Sequence, residues 1–140
     1  MSELLAYTDY VTITTRERYA ILDITDRVEE LRKKAALADG FILVSTMHIT
    51  SSVFVNDHES GLYHDIMAWL EELAPRRADY KHHLTGEDNA DAHLKRMLLG
   101  HQVIVPVTQG ALDLGPWERV HYGEFDGCRP KRILMKAIGV

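Results

Sequence analysis

The chain has 140 residues, 46% of them hydrophobic and 26% charged, with a formal net charge of −5. This is ordinary globular usage at a length that suits one domain, residues 1–140, with its own core, and it excludes a disordered or low-complexity chain. The acidic balance argues against a nucleic-acid groove, which is normally basic, and no apolar stretch approaches the ~20 residues that span a bilayer.

A single cysteine, Cys128, rules out an intrachain disulfide. The first ten residues carry acids and lack the apolar core of a secretion signal, so a cytoplasmic setting without membrane partners is expected. Eight histidines in so short a chain are the compositional oddity.

In chain order, residues 7–14 are rich in β-branched and aromatic types and predict a strand. A helix follows over 25–38, with Val28, Leu31, Ala35 and Ala38 on one stripe, Asp23 or Asp26 to cap it and Gly40 as its left-handed terminator. The apolar run 41–46 predicts a central strand, a polar knuckle spans 48–52, and 53–56 is a short strand. The next helix covers 61–73, with Leu62, Ile66, Trp69, Leu70 and Leu73 turned inward and Pro75 stopping it. Residues 76–88 have no period and form a long loop, a length that hints at function. A short helix over 90–99 carries an apolar stripe of Ala90, Leu94, Met97 and Leu98 between Asn89 and Gly100. Strands over 102–108, 112–114, 117–125 and 131–138 complete the chain. Early helices and late antiparallel strands make an α+β fold with helices on one side of the sheet. The basic run 129–136 reads as a solvated strand face, with phosphate binding as the alternative.

Three histidines lie where chemistry collects. His48 sits where an apolar strand gives way to polar residues, a usual place for reactive groups. The hydroxyls of Thr50 and Ser51 either hold an anion or satisfy a turn. His93 borders the inward face of its helix, as a hydrogen-bonded core residue or as a ligand; Asn89 and Asp91 lie within a turn of it, and Asp91 could orient an imidazole. His82 and His83 lie in the loop just upstream. Three imidazoles on one divalent metal would leave a position open for water or substrate, as in catalytic zinc sites, although the spacing follows no compact zinc pattern. Glu124 shares a strand face with Val120 and Tyr122, where an acid needs a partner; it reads as a general base, as an orienting carboxylate, or as the partner of Arg129. His58, His64, His101 and His121 have no comparable company and read as surface or incidental.

The stretch from His48 through Asn56, with Tyr80-Lys81-His82, Asn89 through Lys95, Leu98-Leu99-Gly100 and Pro106-Val107, resembles the YjbQ family. So do Gly110, Leu114-Gly115, Trp117 and Glu124 through Gly127 with Arg129. The resemblance covers nearly the whole chain. It implies layered, mostly antiparallel sheets with about three helices, a homotrimer with pockets near subunit contacts, and a weak thiamine-phosphate synthase side activity. It places His48, His82 and His93 at a polar, zinc-compatible site, with Thr50, Ser51, Asn56, Asp91 and Glu124 around it. Cys128 after the Asp-Gly pair and Glu118 after Trp117 depart from the family pattern without touching the histidines. The expectation is an enzyme on a phosphorylated small molecule. The alternatives are a metal-dependent hydrolase, a non-catalytic ligand-binding module, or histidines that only brace a trimer interface.

Overall fold

The computed structural model describes residues 3–140; Met1 and Ser2, the start of the N-terminal stretch read above for a leader, lie outside them. Among the described residues, eight strands form two antiparallel sheets. The larger contains β1 (Leu5–Ile13), β3 (Gly40–Thr46), β5 (Gln102–Thr108), β6 (Ala111–Leu112) and β8 (Lys131–Gly139), in the order β1-β8-β3-β5-β6. The smaller is β2 (Ala20–Asp23), β7 (Arg119–Glu124) and β4 (Ser51–Asn56), in the order β2-β7-β4. Three helices accompany them: α1 (Thr25–Ala35), α2 (Ser60–Leu73) and α3 (Ala90–Leu99). This is the expected α+β class.

Alternation along the strands builds two cores. Ile42, Val44, Val105, Ile133 and Met135 of the large sheet meet Val53, Val120 and Tyr122 of the small one, and Val28 and Leu31 of α1 join the same core. On the other face of the small sheet, Phe54 and Phe125 pack against Ile66 and Leu70 of α2 and Ala92 of α3. Contrary to the expectation above, the helices do not share one side: α1 belongs to the core between the sheets, whereas α2 and α3 cover the outer face of the small sheet.

Local differences have local causes. The first helix stops at Ala35, because Ala36 takes the left-handed conformation (φ 51°) and its N–H reaches back to Arg32 and Lys33 carbonyls. Gly40 instead starts β3, where an added Cβ would lie 2.1 Å from the Ile138 carbonyl oxygen. Strand β2 was not anticipated. Ser51 and Ser52 are buried strand residues rather than part of the knuckle, and Trp117 precedes β7 and is exposed. In α2 the Glu59 carboxylate accepts from the Gly61 and Leu62 N–H groups, a cap at the positive helix end; Ile66 and Leu70 are buried, but Trp69 and Leu73 are exposed.

Helix α3 buries only Ala90 of its expected apolar stripe. Asp91, Ala92 and Lys95 face inward, while Leu94, Met97 and Leu98 are exposed. The buried ammonium of Lys95 explains the orientation: it donates to Asp91 Oδ2, Glu71 Oε2 and the Ala74 carbonyl, each at 2.8 Å, tying α3 to α2. A buried charge needs such a full set of partners. No described helix is long and apolar enough to cross a membrane.

Candidate functional site

Three separate chain segments meet at one opening. His48 lies in the turn between β3 and β4, where its carbonyl accepts from Ser51 N–H (3.2 Å) and Oγ (3.0 Å). His82 sits in a 3-10 turn, Lys81–Thr85, within the long loop, and His93 is on the first turn and a half of α3. All three line a cavity of about 260 Å³ together with Ile49, Thr50, Glu87, Asn89 and Arg129. The His82 and His93 rings pack edge to face, with centroids 4.8 Å apart. Their other side borders a neighbouring cavity of about 320 Å³ lined by Tyr80, Lys81, Ala90 and Leu94. The polar cavity and the mostly apolar one thus share a wall of two imidazoles.

The sister histidine has a different task. His83 Nε2 accepts from the Ala90 N–H (3.2 Å) and its Nδ1 meets the Ala78 carbonyl (3.0 Å). One ring therefore takes a free N–H of α3 and pins the loop, which settles the tautomer as Nδ1–H. Asn89 stands at the start of α3 but makes no capping bond; its Nδ2 donates to Asp126 Oδ2 (2.8 Å), and its Oδ1 is buried with no partner.

Electrostatics around His48 favour anions. Burial lowers its pKa, and Lys131, Arg129 and Arg132 lower it further against a single opposing carboxylate, Glu124. His93 is likewise lowered, first by burial and then by His82. Both rings are neutral at neutral pH, with a lone pair available for a cation or proton, while the surrounding lysine and arginines supply positive field. Lys131 itself is buried, so the basic run is not simply a solvated strand face. Its ammonium bridges Glu124 Oε2 and Thr50 Oγ1 (2.8 Å for the latter).

That bridge changes the role of several predicted residues. Glu124 is fully buried, and its oxygens accept from Lys131, from the Tyr122 hydroxyl (2.8 Å) and from the Phe125 and Asp126 N–H groups. Its partner is Lys131; Arg129 pairs instead with Asp126 (2.6 Å). Asp91 accepts from the Tyr19 hydroxyl (2.6 Å) and Lys95, not from an imidazole. Ser51 Oγ is taken up by Thr46 Oγ1 (2.6 Å) and the His48 carbonyl. Asn56 lies at the far end of β4, exposed, with its Oδ1 accepting from Asp57 N–H. Glu87, which the sequence reading passed over, is the carboxylate that faces the cavity. Its neighbours Thr85 to Asp88 carry no pattern that would have marked it.

A second histidine cluster lies elsewhere. Asp23, His58 and His121 have candidate ligand atoms all within 4.8 Å of one another, and among the described residues His48, His82 and His93 form no set that close. His121, read above as surface or incidental, is fully buried: its ring stacks on Phe54 (centroids 5.2 Å) and its Nε2 meets the Tyr63 hydroxyl at 2.6 Å. Burial lowers its pKa. His58 also has company, since its Nδ1 lies 2.7 Å from Asp23 Oδ2. His64 and His101 are exposed as expected.

Comparison with known proteins agrees with the fold and with the family resemblance. The family model described as UPF0047 protein YjbQ-like matches residues 9–140. A UPF0047 protein of Archaeoglobus fulgidus is 44% identical over 128 residues, covering 91% of this chain and 98% of its own. One from Methanothermobacter thermautotrophicus is 37% identical, covering 95% and 92%. Among solved structures, a YbjQ-like protein of unknown function from Sulfolobus solfataricus P2 superposes with a TM-score of 0.93 at 32% identity, covering 99% of this chain and 100% of its own.

Proposed function

The chain belongs to the YjbQ-like UPF0047 family, and from there we propose that the paired cavities beside His82 and His93 bind and turn over a phosphorylated small molecule. The observation that carries this reading is the lining of the polar cavity: three imidazoles and Arg129 converge on one opening, against a single carboxylate, Glu87. A phosphate or diphosphate group suits the polar side, where Arg129 offers a planar fork of donors. A flat organic ring suits the side formed by Tyr80, Ala90 and Leu94.

His48 is the proton carrier of this proposal, because its ring is neutral and Glu124 and Asp91 are committed to buried partners. Those acids hold the scaffold instead: Glu124 fixes Lys131 and through it Thr50, while Asp91 fixes Lys95 and Tyr19. The donor set of His48, His82 and His93 also suits zinc, provided the rings draw closer than they stand; bound there, the ion would neutralise phosphate charge or lower the pKa of a water. Ile49 and Leu94, which line the two cavities, are exposed, as are Leu84 in the His82 turn and Met97 on α3. An apolar rim of that kind fits a subunit contact, and the homotrimer implied by the family resemblance would place the cavity beside it.

Turnover of phosphorylated metabolites, including a hydroxymethylpyrimidine diphosphate offered with a thiazole phosphate, tests the reading. Wild type should convert at least one pair or compound, and His48→Ala should lose about 100-fold or more. The commitment of Glu124 and Asp91 to structural partners favours a second reading, a ligand-binding module. In that case phosphorylated compounds raise the melting temperature of wild type and nothing is converted.

A further inference from the structure

The Asp23, His58 and His121 cluster is independent of the cavity just discussed and has more of its geometry in place. It is assembled by alternation and by α2. Asp23 and His121 are direct partners across β2 and β7, so their side chains project from the same face of the small sheet. Phe54, opposite His121 on β4, stacks on its ring and fixes its plane. His58 arrives from the segment between β4 and α2, and Tyr63 from the first turn of α2.

We infer that Asp23, His58 and His121 form a second site, for a divalent first-row transition cation of the zinc or ferrous class, open toward the cavity beside β2. Two imidazoles and one carboxylate are the donors such ions take, and they leave positions free for water or substrate. A tetrahedral ion with ligands at 2.0–2.1 Å needs ligand atoms roughly 3.3 Å apart. The three candidate atoms are already within 4.8 Å, and His58, whose side chain is 59% exposed, is free to make the remaining adjustment.

The carboxylate has the outer support that metal ligands require. Asp23 Oδ1 accepts from Thr25 N–H (3.0 Å) and Oγ1 (2.7 Å), and Oδ2 accepts from Arg119 Nε (2.7 Å). Arg119 opposes a second cation by its charge, and the ion must also take the place of the His58 contact to Asp23. His121 has one buried nitrogen, Nδ1, without a hydrogen-bond partner among the described residues, while its Nε2 is taken by the Tyr63 hydroxyl, which a cation at Nε2 would displace. An open position exists as well. Asp23, His58 and Tyr63 line a cavity of about 610 Å³ with Thr12, Ile21 and Arg27.

Zinc and cobalt(II) titrations of the full chain carrying His82→Ala and His93→Ala test the site apart from the first cavity. The expected result is one equivalent of either metal bound, with the visible absorption of a low-symmetry cobalt site, and at least a tenfold loss of affinity on adding His58→Ala. Because His58 is largely exposed, that variant keeps its fold, and its melting curve in the absence of metal is the control. Absence of binding in the double variant, or binding that His58→Ala leaves unchanged, overturns the inference and leaves the cluster as a hydrogen-bonded brace. Neither result bears on whether the first cavity takes phosphorylated compounds.

Discussion

His48, His82 and His93 turn their rings toward open space, while His58 and His121 are each held within 2.7 Å of an oxygen of Asp23 or Tyr63. The first three come from a turn, a loop and a helix start; His121 comes from the middle of a strand, buried on both sides. The contrast is between rings that face a cavity and rings that the fold already engages at one nitrogen, with His121 Nδ1 left over. The rings beside Arg129 line a cavity and keep nitrogens for a ligand, whereas among the described residues the buried histidine nitrogen without a partner is His121 Nδ1.

The largest effect should appear behind the open cavity. Lys131→Met strands the Glu124 carboxylate in the core, and a buried charge without its partner costs about 3–5 kcal/mol. Urea unfolding should show that loss, and Lys131→Met combined with Glu124→Leu should recover much of it, because no lone charge then remains. A double variant as unstable as the single one would mean that packing, not charge, holds this region.

Next in size comes the direct contrast between the two clusters. His121→Leu removes the partner of the Tyr63 hydroxyl and should cost about 1–3 kcal/mol, whereas His82→Ala should stay within about 0.5 kcal/mol of wild type. Equal losses at the two positions would erase the distinction drawn above. His83 sharpens it within one loop: His83→Phe removes the acceptor for the Ala90 N–H and should cost about 1 kcal/mol, as loss of a helix cap does. Two adjacent histidines would then divide cleanly, one structural and one available.

The sequence made the open cavity easier to find than the closed cluster. His48 stands where polarity returns after an apolar run, His82 in the long loop and His93 near the start of α3, and the family resemblance names all three. His121 lies within a strand that reads as one-sided, with Val120, Tyr122 and Glu124 on the buried face. Nothing local reveals that α2 covers the opposite face and buries His121 too. Strand β2 escaped for a related reason: four residues, three of them half-exposed, give too short a period. In α3 the apolar stripe misled, because the Lys95 network with Asp91 and Glu71 outweighs the burial of Leu94, Met97 and Leu98. That network crosses 24 positions of sequence and is invisible to any periodicity.

The smallest effect is on pH. The folded-state pKa values of His48 and His93 lie below the ordinary 6.5, so the unfolded chain binds protons first as pH falls. Their contribution to stability is complete above about 6.5 and is lost as pH drops through the lowered values. Both rings are only partly buried, so after solvent screening the loss should be about a few tenths of a kcal/mol. The slope of the urea midpoint between pH 7.5 and 5 should flatten in His48→Ala combined with His93→Ala, and an unchanged slope would mean that the rings titrate normally.

The most direct test is a histidine-ring NMR titration of the wild-type chain with pyrophosphate. Resonances of His48, His82 and His93 should move together and saturate, with those of His83 and His121 unmoved. Shifts confined to other histidines, or none at millimolar pyrophosphate, would contradict the assignment of this cavity to a phosphorylated ligand.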